Sequence, residues 1–107
     1  MRTLVVSQVH ARIHAAATLG VVVLCFLLRP SSSDLAALAL SVGLVWSAEA
    51  MNTAVEFVVD LASPEYHELA KKAKDVAAAG VLLAAIASAV AGLLILYPLA
   101  VARLVAP

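Results

Sequence analysis

The chain has 107 residues, of which 64% are hydrophobic and 13% charged, and its mean hydropathy is +1.06; an ordinary soluble domain is about 25% charged, and so small a globule could not cover its surface with so few polar groups, which places the apolar excess in lipid. Seven basic and seven acidic residues cancel to a net charge of zero, leaving no basic stripe for a nucleic-acid backbone. One cysteine, Cys25, and 5% aromatic residues exclude a disulfide framework, a cysteine-ligated metal site and a base-stacking platform.

Taken in chain order, the charges mark out three membrane-spanning helices in a single all-α membrane domain covering residues 1–107. The first span is predicted over 9–28, with Arg12 reaching back to the interface along its own aliphatic stem. A signal peptide explains this segment poorly, because Arg12 and His14 interrupt the apolar region and no cleavage motif leads into a soluble domain. Pro30 and Ser31–Asp34 form the first break, the latter with the S-x-x-D spacing of a capping box. The second span, 35–61, must carry Glu49, Asn52 and Glu56 with it. Ser63-Pro64-Glu65 is the second break, and its composition predicts Ser63 as the N-cap and Pro64 as the first residue of the next helix. The third span is predicted over 76–102, an uncharged run worth roughly 40 Å of helix at 1.5 Å per residue, preceded by a connection and helix start at 62–75. Arg2, Arg12, Lys71, Lys72 and Lys74 fall on one side of the bilayer, and only Arg29 and Arg103 on the other. The excess of basic residues assigns the first side to the cytoplasm.

Acids inside a span cost several kcal/mol and call for a partner or a task. Glu49, Asn52, Thr53 and Glu56 stand at i, i+3, i+4 and i+7, on one helical face, and Asp60 extends the stripe. Such a face can simply line a helix interface; carboxylates and an amide without cysteine also suit a hard cation such as Mg²⁺. A second cluster, His67, Lys71, Lys74 and Asp75, occupies one face of the following helix start on the same membrane side. By itself it reads as a solvated stretch drawn to anionic lipid. Beside the acidic stripe, its ammonium groups become candidates for phosphate oxygens. Glycines at 20, 43, 80 and 92 are too scattered to build a phosphate loop, so a nucleotide site has to be made from helix faces.

The segments EAMNTAVEFVVD, Glu49 to Asp60, and EYHELAKKAKD, Glu65 to Asp75, resemble the signature of the prokaryotic-type diacylglycerol kinase family, which includes undecaprenol kinases. The pattern is E-x-x-N-S/T-A-I/V-E-x-x-x-D followed by E-x-H-x-L-A/S-x-x-A-K-D, and the similarity runs from about Gln8 to Pro98. The resemblance implies an integral-membrane homotrimer of three-span protomers with shared active sites, in the bacterial cytoplasmic membrane. It implies transfer of the γ-phosphoryl group of Mg-ATP to a lipid alcohol at the cytoplasmic interface. In these terms Glu49 is the general base, Asn52 supports the site, Glu56 ligates metal, and Glu65, Tyr66, His67, Lys74 and Asp75 contact nucleotide.

Two departures from the family pattern bear on activity. The family has a glutamate that helps bind metal where this chain has Gln8, whose amide can ligate Mg²⁺ without contributing charge. Most members also begin with an amphipathic surface helix that precedes the part matched here. Reduced activity is the expectation from both. Arg12-Ile13-His14, Asn52-Thr53 and Leu96-Tyr97-Pro98 look like the undecaprenol branch, whereas Glu65 to Leu69 occurs in the diacylglycerol branch; the balance favours undecaprenol. A small helical transporter or channel is the main alternative, but it predicts acids in the interior of more than one span. A noncatalytic membrane subunit is a further alternative, which leaves the stripe from Glu49 to Glu56 without a purpose.

Overall fold

The computed structural model describes residues 2–105, with side chains from Val9 onward. The chain forms three α-helices, α1 (Arg2–Leu28), α2 (Ser32–Ala62) and α3 (Glu68–Val105), each long and apolar enough to cross a membrane. Short connections force neighbours to run antiparallel, giving an up-down-up bundle 63 Å long. The 38 residues of α3 amount to roughly 57 Å of helix against a hydrocarbon thickness of about 30 Å. Its charged first two turns can therefore stand outside the hydrocarbon.

Spacing of three and four residues sets the inner faces. Leu38, Ser41, Val45, Glu49 and Asn52 turn inward on α2, and Ala77, Val81, Ala84 and Ser88 on α3. Small residues allow close approach where no hydrophobic effect drives helices together. The α2–α3 pairing is the closest in the bundle, and α1 meets both partners more lightly. Ser88 Oγ donates to the Ser41 carbonyl across the α2–α3 seam at 2.8 Å. Outside the bundle Phe26, Leu40, Leu61 and Leu94 are more than two-thirds exposed, the distribution expected when lipid is the solvent.

Helix ends follow local chemistry. Arg29 adopts the left-handed conformation (φ 52) and its N–H donates to the Cys25 carbonyl at 2.9 Å; buried Pro30 then prevents continuation. Arg103 Nε donates to the Leu28 carbonyl at 3.1 Å, satisfying an open carbonyl at the end of α1. The Ser31–Asp34 cap is present, with Ser31 Oγ accepting the Asp34 N–H at 3.2 Å, so α2 begins at Ser32, as the capping spacing predicts. Ser31→Ala is expected to cost about 1 kcal/mol, read as a lower unfolding midpoint in mixed micelles. An unchanged midpoint would show that water serves that N–H equally well.

The second break differs from the sequence expectation. Ser63 closes α2 instead of opening α3: its N–H still donates to the Val59 carbonyl at 2.7 Å, and its Oγ donates to the Glu65 carbonyl at 3.0 Å. Pro64 consequently lies in the turn. The cap of α3 is His67, whose Nδ1 accepts the Leu69 N–H at 3.1 Å while its carbonyl accepts from the Lys71 N–H. A histidine ring performing the work usually given to serine or aspartate is what moves the helix start four residues along.

Candidate active site

The face of α2 that turns inward places Glu49 among apolar and small side chains with 7% of its surface exposed. Its Oε2 and the Oδ1 of Asn52 are cut off from solvent and have no hydrogen-bond partner among the described residues. Leaving a buried acceptor unpaired costs about 1–3 kcal/mol, and here two oxygen acceptors three residues apart share that condition. Thr53 is not free to help, because its hydroxyl donates to the Glu49 carbonyl at 3.0 Å. Glu56, one turn further along the same face, is half-buried.

From α1, His14 Nε2 approaches Glu49 Oε2 to 3.4 Å. The imidazole packs edge-to-face on Trp46, with centroids 6.1 Å apart and planes at 61°. Trp46 Nε1 donates to Thr18 Oγ1 at 3.0 Å, and the Thr18 hydroxyl donates to the His14 carbonyl at 2.7 Å. Sequence reasoning used His14 only against a signal peptide and as part of the Arg12-Ile13-His14 run, and it passed over Thr18 and Trp46. The available signal was polar groups spaced i, i+4 on α1 and i, i+3 on α2 within otherwise apolar stretches. Which of them meet depends on how the two helices are set against each other.

A second feature opens where α2 ends and α3 begins, a cleft of about 310 Å³ lined by Asp60, Glu65, Tyr66, His67, Lys71, Lys74 and Asp75 among others. All five residues expected to contact nucleotide line it. Lys74 Nζ donates to Asp60 Oδ1 at 2.6 Å, joining α3 to α2, and Lys71 Nζ donates to Asp75 Oδ2 at 3.0 Å. The hydrogen bond and charge of Asp75 hold Lys71 above the ordinary lysine value of 10.5. That contribution is complete below the ordinary value and lost only as pH rises through the higher one, so Lys71 remains a cation throughout the neutral range.

The cleft and the buried carboxylate are separate in one chain. Glu49, Asn52 and Glu56 do not line the cleft, and Glu49 lies eleven residues before Asp60, roughly 16 Å along α2. Among the described residues no three histidine, cysteine or acidic side chains gather to hold a metal ion. Mg²⁺ is ordinarily held by one or two carboxylates together with substrate phosphates. The unpaired oxygens of Glu49 and Asn52 and the carboxylate of Glu56 are hard donors of the right kind. The Gln8 side chain, the other expected ligand, lies outside the described residues.

A family model described as prokaryotic diacylglycerol kinase matches residues 1–96. A diacylglycerol kinase of Synechocystis sp. is 46% identical over 93 residues, covering 86% of this chain and 53% of that protein. The undecaprenol kinase of Bacillus subtilis is 42% identical over 85 residues, covering 79% of this chain and 69% of its own length. The diacylglycerol kinase of Escherichia coli is 38% identical over 82 residues, covering 77% and 66%. The chain thus spans about half the length of the Synechocystis relative and about two-thirds of the other two. No solved structure is significantly similar to it. With nine-tenths of its length matched and Glu49 of the signature stripe buried where an acid needs a purpose, this membrane-spanning chain belongs to the prokaryotic diacylglycerol kinase family.

Proposed function

We propose that the protein is a lipid kinase that transfers the γ-phosphoryl group of Mg-ATP to the hydroxyl of a membrane lipid alcohol, undecaprenol in preference to diacylglycerol. The observation that carries this reading is Glu49, a carboxylate 7% exposed whose Oε2 makes no hydrogen bond to a described residue and has His14 Nε2 3.4 Å away, in a bundle whose surroundings are apolar. A carboxylate oxygen free to accept is what a general base needs for the proton of a hydroxyl. In this reading the lipid hydroxyl reaches Glu49 from the bilayer.

Glu49 takes the proton of the lipid hydroxyl as that oxygen bonds to the γ-phosphorus; the bond from γ-phosphorus to the bridging oxygen breaks, and ADP leaves with the electron pair. Asn52 holds the reacting groups in register with Glu49. Glu56 and Gln8 are the residues that would hold Mg²⁺, which when bound neutralises charge on the phosphate oxygens. Lys74 faces the nucleotide from the cleft, where Glu65, Tyr66, His67 and Asp75 shape the pocket. Joining cleft and carboxylate requires the phosphates to lie along the α2 face past Glu56. Assembly as a homotrimer with shared sites fits the separation of these two features within one protomer, and the basic residues near the cleft support a site on the cytoplasmic side.

The test is transfer of radiolabelled γ-phosphate from Mg-ATP to lipid in nanodiscs containing either undecaprenol or diacylglycerol. Label is expected in both lipid alcohols, and faster in undecaprenol. Reversed preference would reassign the substrate, and absence of label in either lipid would defeat the kinase reading.

A further inference from the structure

We propose that His14 is a positioning residue for Glu49: α1 delivers an imidazole that fixes the orientation of the α2 carboxylate, and the Thr18–Trp46 pair fixes the imidazole. The inference rests on the proposed role of Glu49 as the base. The Nε2 edge of the ring approaches Glu49 Oε2 to 3.4 Å, so a proton carried on that nitrogen would face the carboxylate. The contact is longer than the 2.7–2.9 Å of a charge-assisted hydrogen bond. It therefore orients Oε2 without capturing it, and the oxygen remains able to accept a proton from a third group.

His14 itself has little freedom. Its side chain is 17% exposed, its ring packs against the edge of Trp46, and its own carbonyl is held by the Thr18 hydroxyl. That same hydroxyl oxygen accepts from the Trp46 indole. One turn of α1 is thereby bound to one turn of α2 by a closed set of contacts at the level of the base, although α1 as a whole meets its neighbours lightly. A carboxylate on a flexible glutamate stem, without this clasp, would sample rotamers that miss the hydroxyl, and a misplacement of about 1 Å can cost on the order of 10²-fold in rate.

The experiment separates orientation by the ring nitrogen from mere packing. His14→Phe keeps an aromatic ring against Trp46 and removes the donor; His14→Gln keeps a donor near the Nε2 position. In the nanodisc assay His14→Phe is expected to lower kcat by about 10- to 100-fold with KM for Mg-ATP within about twofold of the parent, and His14→Gln to recover most of the loss. In a Glu49→Gln background His14→Phe should change nothing further, because the carboxylate it orients is gone. Full activity in His14→Phe, or an equal loss in His14→Gln, overturns the inference while leaving the kinase reading intact. A readout independent of turnover covers an inactive parent or a misfolded variant: the ¹⁵N resonance of His14 Nε2 is expected to move when Glu49 becomes glutamine. An unchanged resonance overturns the contact itself.

Discussion

Glutamine at position 49 is expected to lower kcat for lipid phosphorylation by about 10²–10⁴-fold, the usual contribution of a positioned proton acceptor, while Mg-ATP affinity stays within about twofold of the parent. The amide has the shape of the carboxylate but cannot take the hydroxyl proton, and Glu49 does not line the cleft that gathers the nucleotide candidates. Stability gives a second, opposite readout. A carboxylate 7% exposed whose Oε2 has no hydrogen-bond partner among the described residues is costly to keep in an apolar bundle, so Glu49→Gln should leave the unfolding midpoint unchanged or raise it. Activity gained at the expense of stability is the ordinary signature of a functional acid. Retention of activity within about tenfold of the parent would remove Glu49 as the base, and a large fall in stability would make it a structural partner of His14 instead.

The expected stripe owes its legibility to two simple regularities. Charge is so expensive in lipid that the few charged residues punctuate the chain, which is why three spans and the Ser31 cap could be read directly. Helical periodicity then placed Glu49, Asn52 and Glu56 on one face, where the structure has them. Periodicity is silent about how one helix is set against the next. The His14–Glu49 contact and the Trp46–Thr18 bond join residues 35 and 28 positions apart, and their partners are chosen by the rotation and height of α1 against α2. The error at Ser63 has a different origin: serine followed by proline suits a helix start, but the Ser63 N–H was still within reach of the Val59 carbonyl, and His67 supplied a competing cap. Placing Pro64 in a turn rather than in a helix is also what opens the cleft, since residues 63–67 wrap around the ends of both helices.

The second large effect is expected at Lys74. Its ammonium lies 2.6 Å from Asp60 Oδ1, with the two side chains 36% and 47% exposed, so as a structural link the pair is worth only about 0–1 kcal/mol. As a phosphate ligand it is worth more: a hydrogen bond to a charged group contributes about 1.5–3 kcal/mol, equivalent to roughly 10- to 100-fold in binding at 1.4 kcal/mol per decade. Lys74→Met should therefore raise the half-saturation for Mg-ATP by about 10- to 100-fold and barely shift the unfolding midpoint. Removing the lysine also leaves Asp60 as an unneutralised anion beside the phosphates. The double variant Lys74→Met/Asp60→Asn should accordingly bind Mg-ATP better than Lys74→Met alone, a non-additivity that a merely structural ion pair would not produce in binding. Isothermal titration of Mg-ATP into the parent, both singles and the double in nanodiscs decides the matter. Equal affinities across all four would place the nucleotide elsewhere and leave the Lys74–Asp60 contact as a tether between α2 and α3; a double variant weaker than Lys74→Met would instead make Asp60 a favourable contact, through the metal that accompanies the nucleotide.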